Sequence, residues 1–396
     1  MTFFSKRGEQ VQSIADKYIE AELFSGIEWQ VETNGQVLTA GSVGCSDHAQ
    51  QTAIPDGAIY RIFSMTKPIV SMLALQLIEQ GRLRLYDMLA QFDERFGNMM
   101  VLTADGLIKP AERPITVEDL LTHRAGFTYE FIHGCHIGQY YREAEINADG
   151  SRTLDQMMGA LAELPLAFQP GSNWRYSVSI DVLAHVIERA TGESLPSLLA
   201  ENIFSPLGMT DTAFFVPEDK RSRLMTMYGV GILDGSPALA PSPQTLEPLD
   251  VDAMYPVDQP DTFVRGGLGL YSTTEDYMAF ARMLLTGKAP DGTVLLSRKM
   301  LSLAQTNRIP ESQLPLNIGP SVFLGYGWGL LGRIMLDQGR ASTLSNEGEF
   351  GWAGAATTYF WVDPGEQTVG VVMTQYLGTA LPLSDDLRTA AYQMLS

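Results

Sequence analysis

The stretch Arg61-Ile-Phe-Ser64-Met-Thr-Lys67-Pro-Ile-Val-Ser-Met-Leu-Ala-Leu-Gln-Leu-Ile78 decides how this chain folds. Between residues 62 and 78 the only charged side chain is Lys67. The segment predicts a helix over about residues 64–80, closed by Gly81. Apolar residues cover nearly every face of that helix, so it should be buried on all sides. Pro68 falls in its first turns, where little backbone hydrogen bonding is lost. Ser64 and Lys67 stand three apart and share a face. A serine at the positive end of a buried helix thus sits beside the one ammonium of the segment. Burial lowers the proton affinity of such an ammonium. A neutral amine can help deprotonate the serine, and the helix N-terminus offers N–H groups to an oxyanion. A Ser-x-x-Lys match arises about once by chance at this length. The placement, rather than the tetrapeptide, therefore carries the argument.

Composition narrows the setting. The 396 residues are 45% hydrophobic and 18% charged, so most of the chain should be packed. Lys and Arg number 27 against 46 Asp and Glu, a net charge of −19. That sign repels phosphate backbones and anionic lipid, so neither a nucleic-acid partner nor a membrane surface is expected. The apolar run 68–78 is too short to span a bilayer, and the uncharged run 312–332 is broken by Pro315, Pro320 and glycines. Residues 1–26 show no apolar run with a small-residue cleavage site, so a cytoplasmic location is expected. Cys45 and Cys135 make no disulfide framework and read as buried hydrophobes.

Outward from the central stretch, Val11, Ile14, Ala15, Tyr18 and Ile19 predict an amphipathic first helix. Asn34-Gly35 between residues 27–33 and 36–43 predicts a hairpin. Helices are expected over 116–123 (a Thr116/Asp119 capping box, stopped by Gly126), 154–164, 180–190, 274–285 and 298–305. Strands are expected over 325–335, 354–362 and 368–375, then a last helix over 385–395. The proline-rich stretch 233–262 is expected to be an irregular loop packed over a site. The fold class expected is α/β (α+β) in two lobes. Residues 1–90 and 323–396 form an antiparallel sheet flanked by the terminal helices, residues 91–322 form an inserted, mainly helical domain, and a cleft lies between.

Two further segments carry chemistry. Pro170-Gly-Ser-Asn-Trp-Arg-Tyr176-Ser-Val178-Ser179 places Tyr176 on a loop leading into a helix. A phenol beside an ammonium loses its proton more easily and can serve as a base, although a loop-filling tyrosine is the simpler reading of that residue alone. Gly351-Trp352-Ala-Gly354-Ala355-Ala356 offers small residues at a strand edge, where a ligand can approach closely. His133-Gly-Cys135-His136 lacks further ligands at zinc-like spacing, so no metal is expected. His123 and His185 read as structural helix residues.

Together these three segments resemble the serine β-lactamase and DD-peptidase superfamily, in its class C-like branch. They are most similar to the family VIII carboxylesterases and related acyltransferases. Leu120-Leu-Thr-His-Arg-Ala-Gly126, Phe215-Val-Pro-Glu-Asp-Lys220 and Gly266-Gly-Leu-Gly-Leu-Tyr-Ser272 also look like that family, so the resemblance runs from about residue 10 to the end. The resemblance implies a serine β-lactamase-like fold, Ser64 as acylated nucleophile, and Lys67 with Tyr176 as the proton-transfer groups. It leaves open which of the two is the dominant base. It implies an oxyanion hole from the backbone N–H groups of Ser64 and Ala355, and no cofactor. Trp352 stands where β-lactamases of this type carry a carboxylate-binding cation, and Val178 where class C enzymes carry Asn. Both departures favour a small-molecule ester over a charged peptide-like acyl donor. Trp352, Gly354, Val178, Tyr129 and Phe131 are the expected substrate-binding residues, the last two in an aromatic loop over 127–141. Acyl transfer to an alcohol, β-lactam or amide hydrolysis, and a non-catalytic binding protein are the alternatives. The oligomeric state is left open.

Overall fold

The first helix, α1, spans Gln10–Glu20 and buries Val11 and Ala15. Next come β1 (Gly26–Thr33) and β2 (Gln36–Asp47). Asn34 and Gly35 take positive φ of 52° and 73°, the twist that a two-residue hairpin needs. The short strand β3 (Thr52–Ala53) and the buried helix α2 (Thr66–Glu79) follow. The computed structural model describes residues 8–132, 136–147, 149–229, 246–319, 321–379 and 381–395. Two longer helices of the middle, α3 (Ser179–Thr191) and α4 (Thr274–Thr286), matter most for the site. The C-terminal part adds β4 (Tyr326–Trp328), β5 (Arg333–Met335), β6 (Phe350–Gly354), β7 (Thr358–Asp363), β8 (Thr368–Met373) and the last helix, α5 (Leu383–Tyr392).

These eight strands form one antiparallel sheet in the order β4-β5-β6-β7-β8-β1-β2-β3. The two ends of the chain meet at the β8–β1 seam, where Trp29 pairs with Val372. Side chains alternate across the sheet. Trp29, Val31, Tyr359, Trp361 and Val372 face α1 and α5. Phe360, Val362, Val369, Val371 and Met373 face the other way, into a core shared with α2 and α4. Both faces are covered, so β7 and β8 are buried along their whole length. Among the described residues no helix is long and apolar enough to cross a membrane.

Several expected boundaries move. The expected strand 325–335 is a hairpin, β4 and β5. The expected strand 354–362 is split: β6 ends at Gly354, and a turn with Thr357 at φ 62° leads into β7. Continuous apolar residues hid both turns. The capping box at Thr116 and Asp119 is present, but its helix, Val117–Leu121, ends well before Gly126, with His123 at φ 56°. Ser64 lies in a 3-10 turn, Phe63–Met65, just ahead of α2. Residues 230–245 of the proline-rich stretch lie outside the described residues. The part that follows packs Val251 and Tyr255 against Phe63, next to Ser64.

The sheet is tied to α5 by buried polar groups. Arg388 is 0% exposed. It donates to Glu349, to the Tyr359 hydroxyl at 3.0 Å and to Asp385 at 3.0 Å. Tyr392 donates to the other oxygen of Glu349 at 3.0 Å. Removing one partner leaves a buried charge unpaired, which costs about 3–5 kcal/mol. Arg388→Ala should therefore lower the unfolding free energy by about that amount, and Arg388→Met by less, as read by chemical denaturation.

Candidate active site

From residue 58 to residue 77 every side chain is buried except that of Ser64, which is partly exposed. The turn that carries Ser64 is clamped on several sides. Ile62 donates its N–H to the Leu270 carbonyl at 3.1 Å, Leu270 donates to the Thr66 hydroxyl at 3.1 Å, and Tyr277 donates to the Met65 carbonyl at 2.8 Å. Gly354, at the end of β6, abuts the Ile62 carbonyl so closely that a Cβ there would lie 2.4 Å from that oxygen. Phe63 is held at φ 43°, a left-handed backbone that L-residues avoid. Its ring is pinned edge-on against Tyr255, with centroids 4.9 Å apart. The surrounding packing thus holds a strained residue next to the serine.

Lys67 projects from the first turn of α2 and is 2% exposed. Its Nζ donates to Ser64 Oγ at 3.1 Å and to the Gly267 carbonyl at 2.6 Å. It also lies over two rings, 4.6 Å from the Tyr176 centroid and 5.2 Å from the Tyr129 centroid. Among the described residues no carboxylate touches it. Burial pulls its pKa down to about 7, against a smaller upward pull from the Asp181 charge. An amine shifted in this way gains and loses its proton near neutral pH.

Tyr176 is brought to the same place by the loop ahead of α3. It is 4% exposed. Its oxygen accepts from the Trp352 indole N–H at 2.9 Å and shares a hydrogen bond with Ser64. Burial raises its pKa well above the ordinary phenol value, and those two hydrogen bonds oppose the rise. Burial thus acts on Tyr176 in the direction opposite to the one expected of a neighbouring ammonium. Trp352 was expected at the substrate position; it sits on β6, 6% exposed, with its one donor committed to Tyr176.

The other expected residues divide. Tyr129 stacks on Phe131 at 4.8 Å and 19°, and its ring borders Lys67. Gly354 closes β6 and Ala355 begins the next turn, beside the clamp on Ile62. Val178 is 0% exposed in the core, with its N–H 3.4 Å from the Thr128 carbonyl, and offers no surface to a ligand. His133 and Cys135 lie outside the described residues. Asp93, Asp155 and His185 bring ligand atoms together, but the Arg95 guanidinium donates to both carboxylates at 2.6 Å. That cluster is an ion pair with His185 attached.

Three residues of the site were missed as such. Asp181, in the first turn of α3, reads as an ordinary N-terminal helix charge, yet it is 0% exposed. Its Oδ1 accepts the Gly267 N–H at 2.9 Å. Gly267 therefore touches Lys67 with its carbonyl and Asp181 with its N–H. His123 was read as a helix residue; it lies past the helix end with its ring 4.9 Å from Tyr176. Burial holds it neutral, with Lys67 adding to the effect. The glycine cluster 266–269 was the one signal for this wall.

A partly exposed serine, a buried amine and a buried phenol thus lie together on one sheet-and-helix frame. The Beta-lactamase family model matches residues 11–393. The chain belongs to the Beta-lactamase family. An uncharacterized protein of Mycobacterium tuberculosis (strain CDC 1551 / Oshkosh) is 31% identical over 366 residues, covering 90% of this chain and 87% of that one. Esterase EstB of Burkholderia gladioli is 29% identical over 398 residues, covering 97% of this chain and 94% of that one. The solved structure of EstCE1, described as a hydrolase with promiscuous acyltransferase activity, is 25% identical. It superposes with a TM-score of 0.82 over 98% of this chain and 99% of that one. This family member is an enzyme, a serine hydrolase of the β-lactamase fold.

Trp352→Phe keeps a ring at the site but leaves the Tyr176 oxygen one donor short. A lost buried hydrogen bond of this kind should lower the unfolding free energy by about 1–2 kcal/mol, measurable by denaturant titration.

Proposed function

We propose that this protein hydrolyses small carboxylic esters through an acyl-enzyme on Ser64. The observation that carries the reading is the contact between Ser64, the one partly exposed side chain of a buried stretch, and the Lys67 amine at 3.1 Å. Neutral Lys67 takes the Ser64 proton as Oγ adds to the ester carbonyl carbon. The backbone N–H groups of Ser64 and Ala355 receive the oxyanion. Support for that pair is the contact between the end of β6 and the turn that carries Ser64. When the C–O bond breaks, the proton on Lys67 passes to the leaving alkoxide. Protonated Tyr176, hydrogen-bonded to Ser64, is the relay for that transfer. Water then adds to the acyl carbon, gives its proton to Lys67, and Ser64 leaves with a proton restored.

Trp352 favours neutral esters. An indole has no charge to offer a substrate carboxylate, and its single N–H is already committed to Tyr176. The esterase name of a relative at 29% identity agrees with this reading. Passing the acyl group to an alcohol instead of water is the second reading, favoured by the acyltransferase activity in the description of EstCE1.

The wild type should be labelled by a fluorophosphonate on Ser64, located by peptide mass spectrometry, and should hydrolyse p-nitrophenyl butyrate faster than a chromogenic cephalosporin. Ser64→Ala should lose the label and at least about 1000-fold in kcat. An unlabelled Ser64, or unchanged turnover in the mutant, would overturn the mechanism. The pH dependence follows from Lys67. Its pKa is lowered to about 7, and only the neutral amine accepts the proton, so kcat/KM should fall on the acid side with a midpoint near 7.

A further inference from the structure

The wall behind Lys67 is made of groups that the reaction above does not use. Asp181 Oδ1 accepts the Gly267 N–H at 2.9 Å, and the Gly267 carbonyl accepts from Lys67 Nζ at 2.6 Å. The N–H and the C=O of one residue, on the two sides of its Cα, therefore connect a fully buried carboxylate to the buried amine. The position demands glycine: a Cβ on residue 267 would lie 2.3 Å from Asp181 Oδ2 and 3.1 Å from the Tyr129 hydroxyl. Oδ2 and the Tyr129 hydroxyl are both buried without a hydrogen-bond partner among the described residues. A carboxylate held in this way is costly unless its charge has a use.

We propose that Asp181 is a positioning residue for Ser64 activation: it holds Gly267, whose carbonyl aims Lys67 at Ser64, and it presents its carboxylate to Lys67 from the far side of that residue. This role rests on the serine-hydrolase reading of the site. The groups facing the pair are few. Lys67 meets Asp181 and Tyr176 from α3 and its leading loop, Tyr129 from the aromatic loop, and His123 from the end of the short helix. Asp181 meets Lys67, the buried Arg265, Tyr129, Tyr176 and Glu130. Arg265 spends its hydrogen bonds on the carbonyls of Val264, Asp149 and Arg152, and makes no direct ion pair with Asp181 among the described contacts. Burial pushes the Asp181 carboxyl up, and the Lys67 and Arg265 charges and the Gly267 N–H oppose that rise. A negative neighbour raises the pKa of an amine, so removing it must lower that pKa.

Asp181→Asn and Asp181→Ala separate the two parts of the role. Asn keeps an oxygen for the Gly267 N–H and removes the charge; Ala removes both. The readout is the rate of Ser64 phosphonylation by a fluorophosphonate from pH 5 to 9, which needs no ester substrate. Circular dichroism confirms folding of each variant. In Asp181→Asn the acid limb should move to lower pH by about 0.5–1 unit. In Asp181→Ala the alkaline plateau should also fall, by about tenfold or more, as Lys67 loses its aim. A merely structural aspartate would alter stability and leave the limb in place. Superimposed pH profiles for wild type and Asp181→Asn would overturn the assignment while leaving the serine mechanism intact. No labelling of wild-type Ser64 at any pH would overturn both.

Discussion

An ammonium with 2% exposure and, among the described residues, no carboxylate in contact is the constraint around which this molecule is arranged. Taking such a cation out of water costs several kcal/mol. The fold opposes that cost with the Gly267 carbonyl, the Ser64 hydroxyl, the faces of Tyr176 and Tyr129, and the Asp181 carboxylate on the far side of Gly267. These contacts are weaker than a direct ion pair. The residual penalty is expressed as a proton affinity lowered to about 7. A directly paired lysine would keep its proton and could not accept one from serine. The incomplete compensation is what leaves the amine able to take up a proton near neutral pH.

The rest of the structure keeps that arrangement dry and still. The sheet supplies Trp352 and Gly354 from the end of β6, and α3 supplies Asp181 with Tyr176 just ahead of it. The buried helix α2 supplies Lys67, and the glycine cluster closes the wall. Ser64 sits where all four meet, on a turn whose preceding residue has a left-handed backbone. Strain of that kind costs about 1–3 kcal/mol and persists only where packing over-determines it. Tyr255, Tyr277 and Leu270 do so here.

Trp352 joins an uncharged ring to the Tyr176 hydroxyl. Its ring packs on Trp328 at 4.5 Å and on Tyr176 at 5.2 Å, and its N–H fixes the Tyr176 oxygen. A cation at this position would recruit a carboxylate but could not present the same aromatic face. Absence of charge and orientation of the phenol thus come from one side chain.

Much of this was legible in the sequence because it is local. Apolar periodicity gave α1, α2 and α3, Asn34-Gly35 gave the hairpin, and three-residue spacing on a buried helix placed Lys67 beside Ser64. Trp352 could be read as uncharged, and Tyr176 as a loop residue ahead of a helix. The turns inside the C-terminal strands were hidden, because residues buried on both faces show no alternation. The proton states were hidden too, since burial decides them and burial is a property of the whole fold. Contacts such as Lys67 to Gly267, 200 residues apart, or Trp352 to Tyr176, 176 apart, leave no local pattern. Asp181 reaches Lys67 through the backbone N–H and C=O of Gly267, and backbone groups look the same at every position of a sequence. The sequence by itself determined which groups could react; only the tertiary structure decided which of them holds a proton at neutral pH, because that depends on how far each is taken from water and what is packed beside it.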